Sequence, residues 1–473
     1  MNKIEFVFNN KLTTIDFDSE DYSPNSTLLQ YIRSKDDTKG TKEGCNEGDC
    51  GACTVVIVEK INGKLNFKAI NSCVMFLPSI HGKQVITIEE LGNENILHPI
   101  QQIFVDKHAS QCGFCTPGFI MSLFAQKAQK INSTKEELIE AVQGNLCRCT
   151  GYRPIVVAAE DIAKVSDLSQ FSTFADEEKI DSINTKDTIT IKKDGYEYYI
   201  PFTFEEALRL RKSHPDATIS SGGTDLVLKV TKRKEKIYKI IDITMISEIK
   251  NIEQNTANFT IGAGTCIEDI YQYSKDKIKP LAEMLSVFGA KQIRNRASIG
   301  GNIATASPIG DTLPILLALN ASIIVKNTEK ERIIKLSDFI TGYRQTTLKQ
   351  DELIYKVIIP KIGDNKIIKS YKISKRTHLD ISTVSAGFML KLNNNIVEDI
   401  ILAYGGMAAM PKRAKKTEQH LIGKEWKESN ILKAAEILKE EFTPLTDARS
   451  AADSRKIIAK NLLIKFYEDS KTN

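Results

Sequence analysis

The chain has 473 residues, which at roughly 150 residues per domain predicts three or four domains. Hydrophobic residues make up 41% of the sequence and charged residues 26%, an ordinary globular composition that excludes wholesale disorder. The net charge of +5 results from 65 basic and 60 acidic residues, which is too balanced to indicate nucleic acid or a membrane surface as a partner.

Cysteine usage is very uneven: eight of the nine cysteines lie between Cys45 and Cys149, and Cys266 stands alone. The N-terminal segment MNKIEFVFNNKL alternates apolar and polar residues, with neither the hydrophobic stretch nor the cleavage site of a secretory signal. No run of 18 apolar residues occurs, so the sequence predicts no membrane span. We therefore expect a cytoplasmic protein with reduced thiols, in which clustered cysteines favour metal binding over a disulfide framework.

The first cysteine set has the spacing Cys45-x4-Cys50-x2-Cys53 and ends at Cys73. This order is that of plant-type ferredoxins, in which four thiolates hold a [2Fe–2S] cluster. A zinc site is the alternative, but four-ligand zinc sites favour two short C-x2–4-C knuckles, which this set does not form. The loop GCNEGDCGAC interleaves glycines, which reach the positive-φ conformations that point several backbone N–H groups at the sulfurs.

The residues around this loop predict a small sheet with one helix. Ile4, Phe6 and Phe8 alternate as in a strand, and Leu12, Ile15 and Phe17 can supply its hairpin partner. Residues 54–58 form another strand. Ser26 is placed to cap a short helix that runs through Ile32. A sheet with one helix and a glycine-rich cluster loop resembles the β-grasp ferredoxin domain.

The second cysteine set consists of Cys112, Cys115, Cys147 and Cys149. Between its two pairs the sequence predicts two helices, the first with Pro117 in its opening turn and the second with Ser133 and Glu136 as a capping box. Two helices that each bring a cysteine pair near one end can hold either a second [2Fe–2S] cluster or a zinc ion. The spacing alone leaves both readings open.

The residues around both sets resemble one family. QCGFCTPG followed by GNLCRCTGYRPI closely resembles the helical [2Fe–2S]-binding domain of the xanthine dehydrogenase and aldehyde oxidase family of molybdenum hydroxylases. In that family this domain directly follows a β-grasp domain with the GCxEGxCGACTV loop found here. The resemblance implies two [2Fe–2S] clusters, one on Cys45, Cys50, Cys53 and Cys73 and one on Cys112, Cys115, Cys147 and Cys149.

The chain beyond residue 166 changes character. Residues 167–190 have weak periodicity and a polar composition, which predicts an exposed interdomain linker. Thr203 and Glu206 then begin a helix that ends near Ser213. A short strand at residues 217–219 runs into SSGGTDL, in which the two glycines make a turn and residues 224–226 begin a helix. Such a turn converges backbone N–H groups into an anion site, although an ordinary tight turn fits the same residues.

A second small-residue loop follows in FGAKQIRNRASIGGN, succeeded by SPIGD. Neither loop contains G-x-G-x-x-G, so no Rossmann site is predicted. Two separate glycine loops suit a ligand with two phosphates and a long body. The segments ISSGGTDL and FGAKQIRNRASIGGNIATASPIGD strongly resemble the non-Rossmann FAD-binding domain of the same family.

By this resemblance, residues 219–226 wrap the FAD pyrophosphate and residues 298–302 form the second flavin loop. Phe288 packs near the adenine or the flavin, Asp311 binds ribityl or ribose hydroxyls, and Ile354 and Lys372 supply further contacts. Tyr343 either shields one flavin face and leaves room for nicotinamide or simply packs. The implied FAD-binding residues are Ile219, Ser220, Ser221, Gly222, Gly223, Thr224, Asp225, Leu226, Phe288, Ser298, Ile299, Gly300, Gly301, Asn302, Asp311, Ile354 and Lys372.

From about Lys366 the pattern predicts strands followed by amphipathic helices, and Cys266 is interpreted as a small buried residue. The expected fold class is α+β multidomain, with five segments in chain order. These are a β-grasp [2Fe–2S] ferredoxin domain (1–88), a helical [2Fe–2S]-binding domain (89–166), a linker (167–190), a two-subdomain α+β FAD-binding domain (191–363) and a small α+β C-terminal domain (364–473).

This fused order resembles the iron–sulfur and flavin subunit of two-subunit xanthine dehydrogenases, and no molybdopterin-binding half is expected after residue 473. The resemblance implies that a molybdopterin-binding large subunit hydroxylates the purine and that the subunits form a dimer of heterodimers. Electrons would pass through both clusters to FAD and then to NAD, with no catalytic residue, nucleic acid or membrane involved on this chain.

Two alternatives to xanthine dehydrogenase stay open. One is another molybdenum hydroxylase, acting on an aldehyde, nicotinate or another heterocycle. The other is a stand-alone NADH-dependent flavo-iron–sulfur reductase. The sequence also leaves open whether NAD or oxygen accepts the electrons.

Overall fold

The computed structural model describes residues 2–61, 63–93, 95–363 and 365–471. It consists of two compact units, one of Met1–Leu210, Asp216–Ile246 and Ala290–Ala297 and the other of Arg211–Pro215, Ser247–Gly289 and Ser298–Asn473. The predicted domain limits at residues 1, 364 and 473 lie outside the described residues. None of the described helices is long and apolar enough to cross a membrane.

The first unit begins with a five-stranded sheet of mixed direction. Lys3–Phe8 pairs in parallel with Gln84–Ile86, and the other neighbouring strands are antiparallel. The helix Leu28–Ser34 buries its apolar side against this sheet, which is the β-grasp arrangement that the alternating residues predict. The strand order is Lys11–Asp16, Lys3–Phe8, Gln84–Ile86, Thr54–Ile61, Lys64–Asn71, and the connections contain the 3-10 turns Ser72–Val74 and Leu77–Ile80 and the helix Ile88–Leu91.

The two faces of this sheet lie in two different cores because side chains alternate along each strand. Ile4 and Phe6 on one face belong to a core with the helix Leu28–Ser34 and with residues 189–240 further along the chain. Val56 and Val58 on the other face belong to a core with the helices that follow the sheet. The sheet is therefore buried on both sides.

Four helices form the next part of the first unit, and the second of them has Pro117 in its first turn as predicted. The N-caps differ from the sequence expectation by one residue. Thr134 rather than Ser133 makes the capping box, with Glu137, and Thr27 rather than Ser26 does so with Gln30. In each pair the threonine has the extended backbone that aims its hydroxyl at the N3 amide. The helices are Pro99–Asp106, Thr116–Gln129, Lys135–Ala141 and Arg153–Ala163.

The segment predicted as an exposed linker, residues 167–190, is exposed over much of its length but is anchored to the core at a few residues. The segment contains the short helices Ser169–Ser172 and Glu177–Ser182, and Phe171 is fully buried. Gln84 of the β-grasp sheet donates to the Phe174 carbonyl at 2.7 Å. The polar composition hides a few widely spaced apolar residues, and these are enough to hold the segment against the core.

The first unit also contains a four-stranded sheet in the order Ile189–Lys193, Tyr196–Ile200, Lys239–Asp242, Thr218–Ser220. Its last three strands are parallel. Tyr198 and Ile240 lie in the same core as Cys53 and Cys73 of the β-grasp domain. The helix after the Gly-Gly turn begins at Val227 rather than at residue 224 and is only five residues long, so its dipole adds little to an anion site. The helices of this segment are Phe204–Ser213, Val227–Thr231 and Lys291–Arg294.

The second unit contains an antiparallel sheet in the order Ile252–Gln254, Asn258–Gly262, Leu353–Pro360, Ser322–Lys326, Glu331–Lys335. A two-stranded hairpin pairs Ile340–Gly342 with Gln345–Thr346. The helical elements of this part are the 3-10 turn Ser247–Ile249 and the helices Ile267–Lys277, Lys279–Ser286, Ile299–Thr305, Thr312–Ala318 and Leu336–Phe339.

The C-terminal part of the second unit is an antiparallel sheet covered by helices. Its strands are, in order, Lys366–Ile373, Val384–Asn393, Ile396–Gly405 and Lys412–Arg413, and its helices are Lys415–Leu421, Glu428–Glu441 and Ala452–Ser470. Phe388, Tyr404, Trp426 and Phe466 form the centre of its core. Together with the sheets above, this part confirms the predicted α+β multidomain fold class.

Candidate functional site

The first cysteine set forms two pairs at the end of the β-grasp sheet. Cys53 and Cys73 are 2% and 1% exposed, with their Sγ atoms 3.2 Å apart. Cys45 and Cys50 form the other pair, in which the Cys45 N–H donates to Cys50 Sγ at 3.3 Å and the Cys50 N–H donates to Cys45 Sγ at 3.2 Å. The Asp49 N–H also donates to Cys45 Sγ, at 3.3 Å. The structure thus brings these four predicted ligands together.

The hydrogen bond within each pair favours the thiolate form of one sulfur and the thiol form of the other. The bond shared with Cys50, reinforced by backbone N–H groups, lowers the pKa of Cys45 to about 5. The corresponding bond with Cys73 lowers the pKa of Cys53, whereas it raises the pKa of Cys73. In each pair one sulfur is therefore ready to lose its proton, as a metal-binding thiol must.

Glycines of the loop serve two different purposes. Gly48 and Gly51 have positive φ angles of 78° and 71°, as the interleaved pattern predicts. Gly44 does not, and its role is spatial, because a Cβ there would lie 2.8 Å from Cys50 Sγ. A side chain at Gly44 would thus crowd the sulfur.

The second cysteine set is also made of two pairs. The Cys112 thiol lies beside that of Cys149, and the Cys115 thiol lies beside that of Cys147. Burial raises the pKa of Cys115 to about 12, whereas the backbone N–H of Phe114 lowers the pKa of Cys112. Unlike the first set, this one reaches the surface, because Cys112 and Cys149 are exposed.

This pairing bears on which metal the thiols fit. A [2Fe–2S] cluster has two irons, each held by two of the four thiolates, whereas a zinc ion needs all its ligands around one point. Both sets are arranged two and two, and no group of three or more His, Cys, Asp or Glu side chains surrounds a single point within the described residues. The residues present therefore fit two [2Fe–2S] clusters.

The two cysteine sets adjoin within the first unit. The Leu146 N–H, one residue before Cys147, donates to the carbonyl of Cys50 at 3.0 Å. Asn145 Nδ2 donates to the carbonyl of Gly51 at 3.0 Å. A Cβ on Gly51 would lie 2.2 Å from the Gly144 carbonyl oxygen, so only glycine permits this approach. A single hydrogen bond thus joins Cys50 of one set to Leu146, the chain neighbour of Cys147 in the other.

In the first unit, the Gly-Gly turn of the predicted pyrophosphate loop is held by an arginine. Arg296 donates through Nε and Nη2 to the Gly222 carbonyl at 3.1 and 2.8 Å. The two glycines have φ angles of 112° and 80°. Among the described residues, the backbone N–H groups of Gly222, Gly223 and Thr224 donate to no protein acceptor. Successive unpaired N–H groups in such a turn form a concave site that suits phosphate oxygens.

This turn lies beside the first cysteine set. A Cβ on Gly223 would be 3.6 Å from the carbonyl oxygen of Val74, the residue after Cys73. Lys232, just past the short helix, donates to the Cys45 carbonyl at 3.2 Å and pairs with Glu47 at 3.2 Å. The residues predicted to bind the pyrophosphate are therefore neighbours of the residues predicted to bind the first cluster.

The other predicted flavin residues lie in the second unit. Ser298 caps the helix Ile299–Thr305 by accepting from the Gly301 N–H, and Thr312 donates to Asn302 Oδ1. Lys372 Nζ lies 2.8 Å from Asp311 Oδ2, and Ser382 donates to the other oxygen of Asp311. Both Asp311 and Lys372 are largely buried. Asp311 is thus part of a buried ion pair, which the sequence reasoning did not foresee.

Four further positions complete this description. Phe288 is half-buried, and Ile354 is buried within the strand Leu353–Pro360. Tyr343 is 64% exposed at the two-stranded hairpin, so simple packing does not account for it. Cys266 is half-buried at the N-cap of the helix Ile267–Lys277, rather than buried as expected.

Four models of known families match successive parts of the chain. The model described as 2Fe-2S iron-sulfur cluster binding domain matches residues 15–77, and that described as [2Fe-2S] binding domain matches residues 87–160. The FAD binding domain in molybdopterin dehydrogenase matches residues 193–362. The CO dehydrogenase flavoprotein C-terminal domain matches residues 369–470.

Two xanthine-oxidising enzymes are similar in sequence. Xanthine dehydrogenase 1 of Arabidopsis thaliana is 31% identical over 517 aligned residues, which cover 93% of this chain and 38% of that protein. Xanthine dehydrogenase/oxidase of Mus musculus is 31% identical over 498 residues, covering 94% of this chain and 37% of that protein. The chain spans less than two fifths of the length of these relatives.

Two solved structures are similar in fold. The carbon monoxide dehydrogenase of Hydrogenophaga pseudoflava that lacks the Mo-pyranopterin moiety aligns with a TM-score of 0.55 and 25% identity, over 57% of this chain and 95% of the matched chain. Quinoline 2-oxidoreductase of Pseudomonas putida 86 aligns with a TM-score of 0.53 and 23% identity, over 59% of this chain and 99% of the matched chain.

The fold and the four domain matches define an iron–sulfur flavoprotein. In domain order and in sequence the chain is similar to the iron–sulfur and FAD part of the molybdenum hydroxylases.

Proposed function

We propose that this chain is the electron-transfer component of a xanthine dehydrogenase. A molybdopterin-containing partner chain oxidises the substrate, and the electrons leave through this chain to NAD. The observation that carries the proposal is the hydrogen bond from the Leu146 N–H, beside Cys147, to the Cys50 carbonyl, which brings the loops of the two cysteine sets together. Two clusters and FAD, when bound, supply one-electron steps on one side and hydride transfer on the other.

The cysteines hold the clusters, and the positions of the two sets indicate the order in which electrons pass through them. Cys45, Cys50, Cys53 and Cys73 bind the first cluster, and Cys112, Cys115, Cys147 and Cys149 bind the second. We assign the second set as the entry point because it is the exposed one. Phe114 and Tyr152 beside it are 45% and 41% exposed, and large exposed aromatic side chains suit a partner interface. The first set comes next on the proposed electron path to FAD, because it lies beside the predicted pyrophosphate loop.

The FAD contacts proposed for the first unit are residues 219–226, in which the N–H groups of Gly222, Gly223 and Thr224 are placed to bind a pyrophosphate. Those proposed for the second unit are Phe288, residues 298–302, Asp311, Ile354 and Lys372. We assign the electron acceptor as NAD, the assembly as a dimer of heterodimers and the location as the cytoplasm, in line with the xanthine dehydrogenase resemblance. The substrate would be chosen on the partner chain, so an aldehyde, nicotinate or another heterocycle is the alternative to xanthine.

Purification of the native complex tests this function. The chain is expected to co-purify with a molybdopterin-containing partner, and anaerobic xanthine is expected to bleach its visible absorbance and to reduce NAD. Bleaching by another heterocycle alone would replace xanthine as the substrate. A monodisperse 52.9 kDa chain with full NADH–dye activity and no partner would instead establish a stand-alone reductase.

Asp311→Asn is expected to lower both the FAD content and the stability. Asparagine keeps the shape of the side chain but removes the counter-ion of Lys372, whose charged group is buried. Breaking a buried ion pair in this way costs about 3–5 kcal/mol in the free energy of unfolding. Released flavin absorbance and thermal denaturation measure the two effects.

A double variant separates flavin contact from folding. Asp311→Leu with Lys372→Met removes both charges, and such a replacement is often neutral for stability. We expect its melting temperature to recover while its FAD content stays low. Recovery of FAD along with stability would show that the two residues act only through the fold.

A further inference from the structure

Asn145 is a buried polar residue at the junction of the two cysteine sets. Asn145 is only 3% exposed. Nδ2 donates to the carbonyl of Gly51, which lies between Cys50 and Cys53 in sequence. The residue itself is two positions before Cys147. One amide side chain therefore joins the loop of one set to the loop of the other.

The other end of this amide is held by two further residues. Ser122 Oγ lies 2.8 Å from Asn145 Oδ1, and Gln292 Nε2 donates to the same oxygen at 3.0 Å. Gln292 is 1% exposed and also donates to Ser122 Oγ at 2.9 Å and to the Ala141 carbonyl at 3.2 Å. These contacts fix which way the Asn145 amide faces, and therefore keep its N–H directed at Gly51.

Gln292 comes from a segment that is anchored on both sides of the junction. Its neighbour Arg294 is fully buried and pairs with Glu140 of the helical part at 2.7 Å. Asn295 donates to the Ala69 carbonyl of the β-grasp sheet at 2.8 Å. Residues 292–295 are thus bonded both to the helical part and to the β-grasp sheet, the two parts of the first unit that contain the cysteine sets.

We propose that Asn145, oriented by Gln292, is a positioning residue that fixes the separation of the two cysteine sets and so sets the rate of electron transfer between them. The inference rests on the proposed function, since it requires both clusters. Its physical basis is that electron-transfer rates fall steeply with the distance between redox centres. Buried hydrogen bonds hold two loops in one register more firmly than apolar packing does, because breaking them leaves polar groups unpaired in the core.

The variant Gln292→Met tests the proposal in the full chain, with Gln129→Met as the matched control. Gln129 also joins the two parts of the first unit, because its Oε1 accepts from the Phe67 N–H at 2.8 Å. It lies at the opposite end of the helix Thr116–Gln129 from Cys115. Iron, sulfide and flavin contents are measured first, and all three are expected to be unchanged in both variants.

The decisive measurements are electron paramagnetic resonance of the dithionite-reduced chain and the rate of equilibration between the clusters after flash reduction. For Gln292→Met we expect a loss of spin–spin splitting between the clusters and equilibration slower by about tenfold or more. Gln129→Met is expected to match the unaltered chain. Unchanged splitting and rate in a fully loaded Gln292→Met chain would overturn the proposal.

Two further outcomes are distinguishable. If Gln292→Met fails to accumulate, Ser122→Ala removes one contact of the Asn145 oxygen and must shift splitting and rate in the same direction; no shift would overturn the proposal. Absence of iron from the unaltered chain would instead refute the proposed function itself.

Discussion

Replacing Cys73 with serine is expected to halve the iron and acid-labile sulfide of the purified chain and to destabilise its first unit strongly. Cys53 and Cys73 lie in the core that the β-grasp sheet shares with the sheet containing Tyr198 and Ile240. A cluster bonded in that core contributes its binding free energy to folding. We therefore expect the free energy of unfolding to fall by about 3 kcal/mol or more.

Cys149→Ser is the matched variant in the second set. It is expected to remove the same amount of iron, because a four-thiolate cluster loses a ligand in either case. Its effect on stability is expected to be smaller, on the order of 1 kcal/mol, because Cys149 is exposed. The helices of that part already share an apolar core with the sheet.

Iron and sulfide analysis, visible absorbance and thermal denaturation measure these effects. Cys266→Ser is the control, since Cys266 belongs to neither set and is expected to leave the iron content unchanged. Equal melting temperatures for Cys73→Ser and Cys149→Ser would contradict the expectation that the buried first set contributes more to stability than the exposed second set. A colourless chain that contains zinc would refute both clusters.

The cysteine spacing predicts which cysteines come together in space because each proposed ligand set is mostly local. Cys45, Cys50 and Cys53 sit on one loop, and Cys112 and Cys115 on another, so their separation along the chain limits their separation in space. The alternation over residues 4–8 predicts the strand because Ile4 and Phe6 lie on the same face of the sheet, which packs into one core. Residue type alone does not determine the N-cap of the first helix, because Ser26 and Thr27 can both cap and only the backbone conformation selects Thr27.

Sequence patterns could not predict the contacts that join distant segments. Gln292 lies 147 residues from Asn145, and Arg296 lies 74 residues from Gly222. Gln292 and Arg296 are residue types that are common on exposed helices, so the sequence alone does not show that the fold buries them at these contacts. The burial of Phe171 has the same origin, because a lone apolar residue in a polar segment has no periodicity. Long-range packing decides all three positions.

Replacing Gly222 with alanine is expected to lower FAD affinity by more than about tenfold, which corresponds to roughly 1.4 kcal/mol. Gly222 has a φ of 112°, a conformation that side chains rarely adopt, and a Cβ there would lie 2.0 Å from the carbonyl oxygen of Arg296. The clash is with backbone, so no rotation of a side chain relieves it. The turn must therefore move away from Arg296, and its free N–H groups lose their common direction.

Gly195→Ala separates this effect from simple backbone strain. Gly195 has a φ of 81°, but a Cβ there meets no heavy atom within 4 Å. It should cost only the strain of a positive φ, about 1 kcal/mol of stability, with FAD content unchanged. Equal FAD content in Gly222→Ala and Gly195→Ala would remove residues 219–226 from the flavin site.

A third variant, Arg296→Met, tests the same turn from the other side. It deletes the two N–H groups that hold the Gly222 carbonyl without adding any atom beside the turn. If the direction of the N–H groups governs pyrophosphate binding, Arg296→Met weakens FAD binding as Gly222→Ala does, whereas iron content stays constant in both. Fluorescence titration of the apo-flavin chain with FAD measures the affinities. Because the turn also adjoins the residue after Cys73, a parallel loss of iron would mean that the variants act through the first cluster rather than through the flavin.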